Sequence, residues 1–207
     1  MNKEDLNKET MQQSEPNRSD SKSRNRIKNA TKNMAYIAVF VALMAVCAWI
    51  AIPMPSGVSI TLQVFAVFCA LGFLGGRRGT IAIVCYLLLG LVGAPVFSNF
   101  NGGLGAFTML SSGYLVGFVF TGLFYWIFTK ILGNKIWVMA IAMVIGLIIC
   151  YAFGTMWFVF LYGKQIQRIA LGEALMLCVV PYIPFDIAKI VLALVLTKTL
   201  AKKIIKI

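Results

Sequence analysis

An aspartate and a lysine sit at the start of an apolar run, where charge is normally excluded. The stretch is PYIPFDIAKIVLALVL, residues 181–196. Asp186 and Lys189 are three residues apart and share a face if the run is helical. A helix entered near Pro184 places them ~3 Å and ~7.5 Å along its axis, in the outer third of a ~30 Å hydrocarbon core. Each charge there costs on the order of 2.5–3.5 kcal/mol on insertion scales, somewhat less near the interface. Two readings offset that cost. The pair neutralises itself as a structural ion pair, or it faces a cavity and holds a polar ligand. Pro181 and Pro184 favour the second, because they free backbone carbonyls at the helix entrance, tolerable only beside protein or a cavity.

A second group lies in GAPVFSNFNGGLGAFTMLSSG, residues 93–113. It is long, uncharged and rich in hydrogen-bonding groups. Ser98, Asn99 and Asn101 donate and accept, Phe97, Phe100 and Phe107 supply apolar walls, and the glycines permit tight turns against a ligand. A re-entrant lid explains both its length and its apolar character; a plain flexible hairpin is the simpler reading. Thr61 and Gln63 stand at the mouth of a preceding apolar segment, as interface residues or as further wall of the same cavity.

Catalysis is poorly supplied. Beyond residue 33 the only carboxylates are Asp186 and Glu173, and histidine is absent, which removes the commonest proton shuttle and metal ligand. The cysteines at 47, 69, 85, 150 and 178 have apolar neighbours and no CxxC spacing, so they read as packing residues. NGGLG is not followed by Lys-Ser/Thr, and no phosphate-binding G-x-x-x-x-G-K-[ST] occurs. No cofactor and no metal are expected.

The elements that must position these groups are membrane helices. Mean hydropathy is +0.85 over 207 residues, and the apolar runs do not alternate as barrel strands do. The expected fold is all-α, a multi-pass protein of the cell membrane with six spans near 34–52, 60–74, 80–92, 114–128, 136–153 and the run ending near 199. The second and third are short and should extend into their flanking loops. With the N-terminus inside, Arg77, Arg78, Lys130, Lys135 and the C-terminal lysines all fall on the cytoplasmic side, and only Lys164 and Arg168 fall opposite, with Glu173 nearby. Both termini are therefore placed in the cytoplasm. Residues 1–33 are polar and mixed in charge, too poor in apolar side chains to fold alone, and read as a disordered cytoplasmic tail. Residues 34–207 form the six-helix domain. The net charge of +12 suits a lipid bilayer rather than nucleic acid, since the basic residues sit at loops and not along one stripe. Small residues recur at four-residue spacing at Ala38 and Ala42, Gly72 and Gly76, and Gly113 and Gly117, and such pairs let helices approach closely in lipid. They serve packing within the chain, or, at Ala38 and Ala42, docking of a second membrane protein.

In order along the chain, SITLQVFAV, LGGRRGTIAIVCYLLLGLVGAPVF (residues 74–97), NGGLG, SGYLVGF and PYIPFDIAKIVLALV resemble the BioY family, the biotin-binding S components of energy-coupling-factor transporters. The likeness covers nearly all of residues 34–200; where the family often has PTGGY, this chain has LSSGY at 110–114. The resemblance implies a subunit that captures biotin from outside. It also implies partners, a transmembrane coupling subunit and two cytosolic ATPases, with the small-residue face of span one at Ala38 and Ala42 as the docking surface.

Biotin carries a carboxylate, a neutral ureido ring and an apolar thioether ring. Lys189 suits the carboxylate, Asp186 the ureido N–H groups, and Asn99 or Gln63 the ureido oxygen, with Ser98 in the same loop. Phe97, Tyr86, Tyr151 and Trp157 are candidates to pack the apolar ring. Alternatives are a binder of another vitamin on the same fold and a solitary ion-coupled transporter with Asp186 as proton carrier. A membrane enzyme is disfavoured by the scarcity of catalytic groups.

Overall fold

The computed structural model describes residues 3–166 and 169–204, with side chains described over 20–166 and 169–199. Arg168 lies outside the described residues. The chain divides into two compact units, Met1–Tyr36 and Ile37–Ile207.

The first unit is the polar part of helix α1 (Lys3–Trp49). Composition reads residues 1–33 as a disordered tail; the backbone is helical from Lys3. Lys, Glu, Gln and Arg are fair helix formers, and extending a helix already begun needs no new nucleus. Every side chain from 20 to 32 is exposed, as expected of a segment with no apolar stripe.

The second unit is a helical bundle. The end of α1 buries Met44, Ala45, Cys47 and Ala48 and leaves Ala38 and Ala42 exposed. A two-residue strand pair follows, β1 (Ala51–Ile52) antiparallel to β2 (Ile60–Thr61). Next comes α2 (Gln63–Leu91), which is not straight. Gly75 has φ 77 and ψ 167 inside it, a conformation that glycine adopts without a Cβ penalty. Gln63 and Tyr86 are 23 residues apart yet hydrogen-bond at 2.9 Å, where a straight helix would hold them ~35 Å apart. A Cβ on Gly79 would meet the Leu71 backbone at 2.8 Å. Thus α2 is a hairpin of two antiparallel limbs, 63–74 and 76–91, turned by GGRRG.

The limbs are ~18 and ~24 Å long, short of a ~30 Å core. The first does not extend backward as expected, because Ile60 and Thr61 are committed to the strand pair. The second does reach past 76, to Leu91. Helix α3 (Ser112–Leu132) packs on α4 (Ile136–Gln165) and on α2. Gly113 and Gly117 make that approach possible: a Cβ would meet Trp157 Cβ at 2.3 Å and Cys150 Cα at 3.0 Å. Gly72 and Gly76 likewise face Thr197 and Trp126. The last span is broken, α5 (Leu171–Cys178) and α6 (Ile183–Ile204) meeting at 51°.

Among the described residues four helices are long and apolar enough to cross a membrane, or five when α5 and α6 count as one span. Counting the limbs of α2 separately gives the six passes read from the sequence. The protein is a multi-pass helical membrane protein.

Candidate functional site

The site is built where three irregular features meet at one end of the bundle: the strand pair, the loop between α2 and α3, and the break before α6. Each has a local cause. Pro184 sits in the first turn of α6, where its missing N–H would have no helical partner anyway. The break leaves the Cys178 carbonyl available, and the Tyr114 hydroxyl donates to it at 3.1 Å. Tyr182, in the break, donates its hydroxyl to the Val58 carbonyl and lies 3.2 Å from the Ser56 hydroxyl. These bonds satisfy backbone that apolar surroundings would otherwise leave unpaired, and they tie α6 to the loop before β2.

The loop over residues 93–111 is compact. Its two 3-10 turns are Ser98–Phe100 and Leu104–Thr108. Trp49 donates Nε1–H to the Pro95 carbonyl at 2.8 Å and stacks on Phe100, with centroids 5.0 Å apart. The Phe97 ring lies against Gly90, where a Cβ would stand 2.1 Å from it. The phenol of Tyr86 accepts from Gln63 Nε2 at 2.9 Å and donates to the Val96 carbonyl at 2.8 Å. Thus α1, both limbs of α2 and the loop are held to one another around Tyr86 and Trp49.

Beneath the loop is a cavity of about 70 Å³, room for several waters rather than one. Its polar wall includes Gln63, Ser98, Asn101, Tyr151, Asp186 and Lys189. Phe97, Tyr114, Leu115, Phe118 and Leu147 supply apolar wall. Asp186 and Lys189 are 3 % and 8 % exposed. Lys189 Nζ donates to Asp186 Oδ1 at 2.7 Å, and the Tyr151 hydroxyl donates to Oδ2 at 2.6 Å. The carboxylate also stands in the first turn of α6, where the helix dipole favours negative charge. Both readings of the pair are therefore realised together, since the two groups clasp each other and also line a cavity. A carboxylate has about four acceptor sites and an ammonium three donors; one site on each oxygen and one donor are used by these bonds. The remainder suits a ligand bearing both N–H donors and an acidic group.

Six of the nine expected ligand residues share this cavity, and three do not. Asn99 is exposed: the backbone enters the left-handed region at Asn99 and Phe100 (φ 57 and 58), so the chain turns over there and Asn101 takes the inward place. Tyr86 is fully buried, but it lies outside the cavity wall and supports Gln63 and the loop from behind. Trp157 packs against Gly113 and Phe160 and is outside the cavity wall, because six residues carry it ~9 Å along α4 and about 120° around it from Tyr151. Tyr182 and Tyr114 in the wall were missed. Tyr182 had a signal, a hydroxyl-bearing ring between two prolines beside Asp186; Tyr114, in SGYLVGF, is marked only by its hydroxyl at the start of an apolar span.

The sequence profile of the BioY family matches residues 15–206. The chain belongs to the BioY family. Among relatives, "Biotin transporter BioY" of Thermotoga maritima is 37 % identical over 164 residues, covering 79 % of this chain and 92 % of that protein. "Biotin transporter BioY" of Rhodobacter capsulatus is 31 % identical, covering 83 % and 94 %. A solved structure, the S-component for biotin from an ECF-type ABC transporter, is similar with a TM-score of 0.74 and 29 % identity, covering 84 % of this chain and 93 % of that one. In this BioY family member the block from GGRRG to PVF is the turn and second limb of the α2 hairpin, which bring Tyr86 under the loop. The PYIPFD segment is the broken entrance that presents Asp186.

Proposed function

We propose that this protein captures biotin from outside the cell and delivers it to an ATP-driven energy-coupling-factor transporter, acting as its membrane substrate-binding subunit and not as an enzyme. The observation that carries this is the buried Asp186–Lys189 pair opening on a cavity beneath an uncharged loop, in a chain whose relatives are named biotin transporters. Lys189 holds the ligand carboxylate with its spare donors. Asp186, oriented by Tyr151, accepts from the ureido N–H groups. Gln63 and Asn101 reach the ureido oxygen, with Ser98 beside them, and Phe97 and Phe118 flank the thioether ring. Asn99 belongs to the loop that covers the ligand. Selectivity follows because an analogue lacking one polar group leaves a buried partner unpaired.

In this reading both termini are cytoplasmic; what supports it is that Arg77, Arg78, Lys130, Lys135 and Lys198 gather at the end opposite the cavity. The partners are a transmembrane coupling subunit, docked on Ala38 and Ala42, and two cytosolic ATPases. The supporting contrast is that Ala38 and Ala42 are exposed while the glycine pairs are used within the chain.

The test is calorimetric titration of the purified protein with biotin, biotin amide, riboflavin and thiamin. Biotin alone should bind tightly. Lys189→Ala should weaken biotin strongly and biotin amide much less; equal losses would remove the carboxylate role, and tight binding of another vitamin would move the substrate.

A further inference from the structure

Tyr86 stands outside the cavity wall, yet its single proton decides which way one wall residue is turned. Gln63 opens α2, is buried, and lines the cavity. Its side-chain amide has a carbonyl acceptor on one arm and N–H donors on the other. Half a turn of the amide exchanges the two arms, which are nearly the same size, so the choice is made by hydrogen bonding. A phenol carries one proton, and Tyr86 gives it to the Val96 carbonyl at 2.8 Å. Towards Gln63, 2.9 Å away, only the lone pairs of the phenol remain. The amide nitrogen therefore faces Tyr86. The opposite turn would set two oxygens against each other with no proton between them. The chain of bonds cannot run backwards either, because it ends on a backbone carbonyl, which only accepts. Tyr86 itself is held in place: it is fully buried, and the Phe97 ring meets it edge-on with centroids 5.5 Å apart.

What Gln63 offers the cavity is then a defined edge. Its carbonyl and its second N–H have no protein partner among the described residues, and buried polar groups are costly to leave unpaired. One acceptor beside one donor is complementary to a cyclic urea, which presents an N–H and a C=O side by side. A group that offers only donors satisfies that edge at one point and sets N–H against N–H at the other.

We infer that Tyr86 is a positioning residue for ligand selection: with its proton on the Val96 carbonyl, it locks the Gln63 amide so that Gln63 meets the ureido group with one donor and one acceptor. This rests on the reading of the cavity as a biotin site. The same lock reaches the loop, since Val96 directly precedes Phe97 and Ser98, which are both in the cavity wall.

The test is titration of the full-length protein with biotin and with iminobiotin, whose protonated imine replaces the ureido oxygen and leaves that group only donors. The wild type should prefer biotin. Tyr86→Phe keeps the ring and frees the amide to turn. Biotin should then weaken about tenfold, the effect of one hydrogen bond, while iminobiotin stays within about two-fold of its wild-type affinity. Gln63→Met, which removes both arms, should erase the preference as well, and the double variant should erase no more than Gln63→Met does. The inference is overturned if the wild type does not discriminate, or if Tyr86→Phe leaves biotin affinity unchanged. It is overturned equally if Tyr86→Phe weakens both ligands alike, as loss of loop support through Val96 alone would. Should Tyr86→Phe fail to fold, Gln63→Met decides alone, and a wild-type preference there overturns the role of the amide edge. A wild type that binds no biotin at all removes the proposed function first and this inference with it, whereas biotin binding with an unaltered preference in the variants removes only the inference.

Discussion

The two ends of this bundle treat charge differently. Arg77, Arg78, Lys130, Lys135 and Lys198 are all exposed at one end, and the helices there are closed by glycine and threonine contacts. Gly76 lies against the Trp126 backbone, Gly72 against Thr197, and Thr80 and Thr129 return their hydroxyls to their own helices at 2.7 Å. At the other end Lys164 and Glu173 are exposed as well, but Asp186 and Lys189 are buried, and the backbone around them is irregular and held by tyrosine hydroxyls. A bundle that needed only to be stable would look like the first end throughout. Replacing a buried ion pair by well-packed apolar residues is often neutral or stabilising, so a retained pair beside a cavity points to a ligand. The difference separates what holds the protein together from what it holds.

The contrast can be broken most forcefully at Asp186. Asp186→Ala leaves the Lys189 ammonium buried and unpaired, which should cost on the order of 3 kcal/mol or more and abolish binding. The double variant Asp186→Leu/Lys189→Met should recover thermal stability in detergent without recovering biotin binding by calorimetry. A double variant that still binds would make the pair purely structural.

A smaller effect sharpens the comparison between helix faces. Gly113→Val overlaps Trp157 and should lower stability by about 1–3 kcal/mol, as overpacking does, read as a fall in melting temperature. Ala38→Trp, on an exposed face, should leave melting and ligand affinity unchanged while preventing co-purification with a coupling subunit. Normal complex yield would place docking elsewhere.

Tyr151→Phe removes one hydrogen bond to a charged acceptor while keeping the ring in the wall. Affinity should fall about tenfold, with a melting temperature near that of the wild type. No change would show that Lys189 alone orients Asp186. At the exposed end, Arg77→Gln or Lys135→Gln should shift stability by less than about 0.5 kcal/mol and leave affinity alone. A large loss there would end the distinction between the two ends.

Much of this was legible from one dimension. Continuous apolar runs dictate membrane helices, because hydrocarbon leaves backbone groups no other partner. GGRRG marks a reversal, since few sequences other than glycine support φ near 77. A charged pair three residues apart in an apolar run declares its own cost, and with it a reason to look for a cavity. The uncharged loop was visible for the same reason, being too polar for lipid and too apolar for water.

What the sequence could not supply was direction. Asn99 and Asn101 are equivalent as text; a left-handed turn between them sends one outward and the other into the wall. Tyr86, Tyr151 and Trp157 are all aromatic residues within spans. Only the rotation of each helix against its neighbours gave Tyr151 to Asp186, put Tyr86 behind Gln63 and turned Trp157 toward Gly113. Local chemistry is written residue by residue, and chain order alone determined the membrane class, the helix breaks and the charged pair. Which side chains meet depends on rigid-body packing between elements far apart in the chain, and the tertiary structure alone decided that.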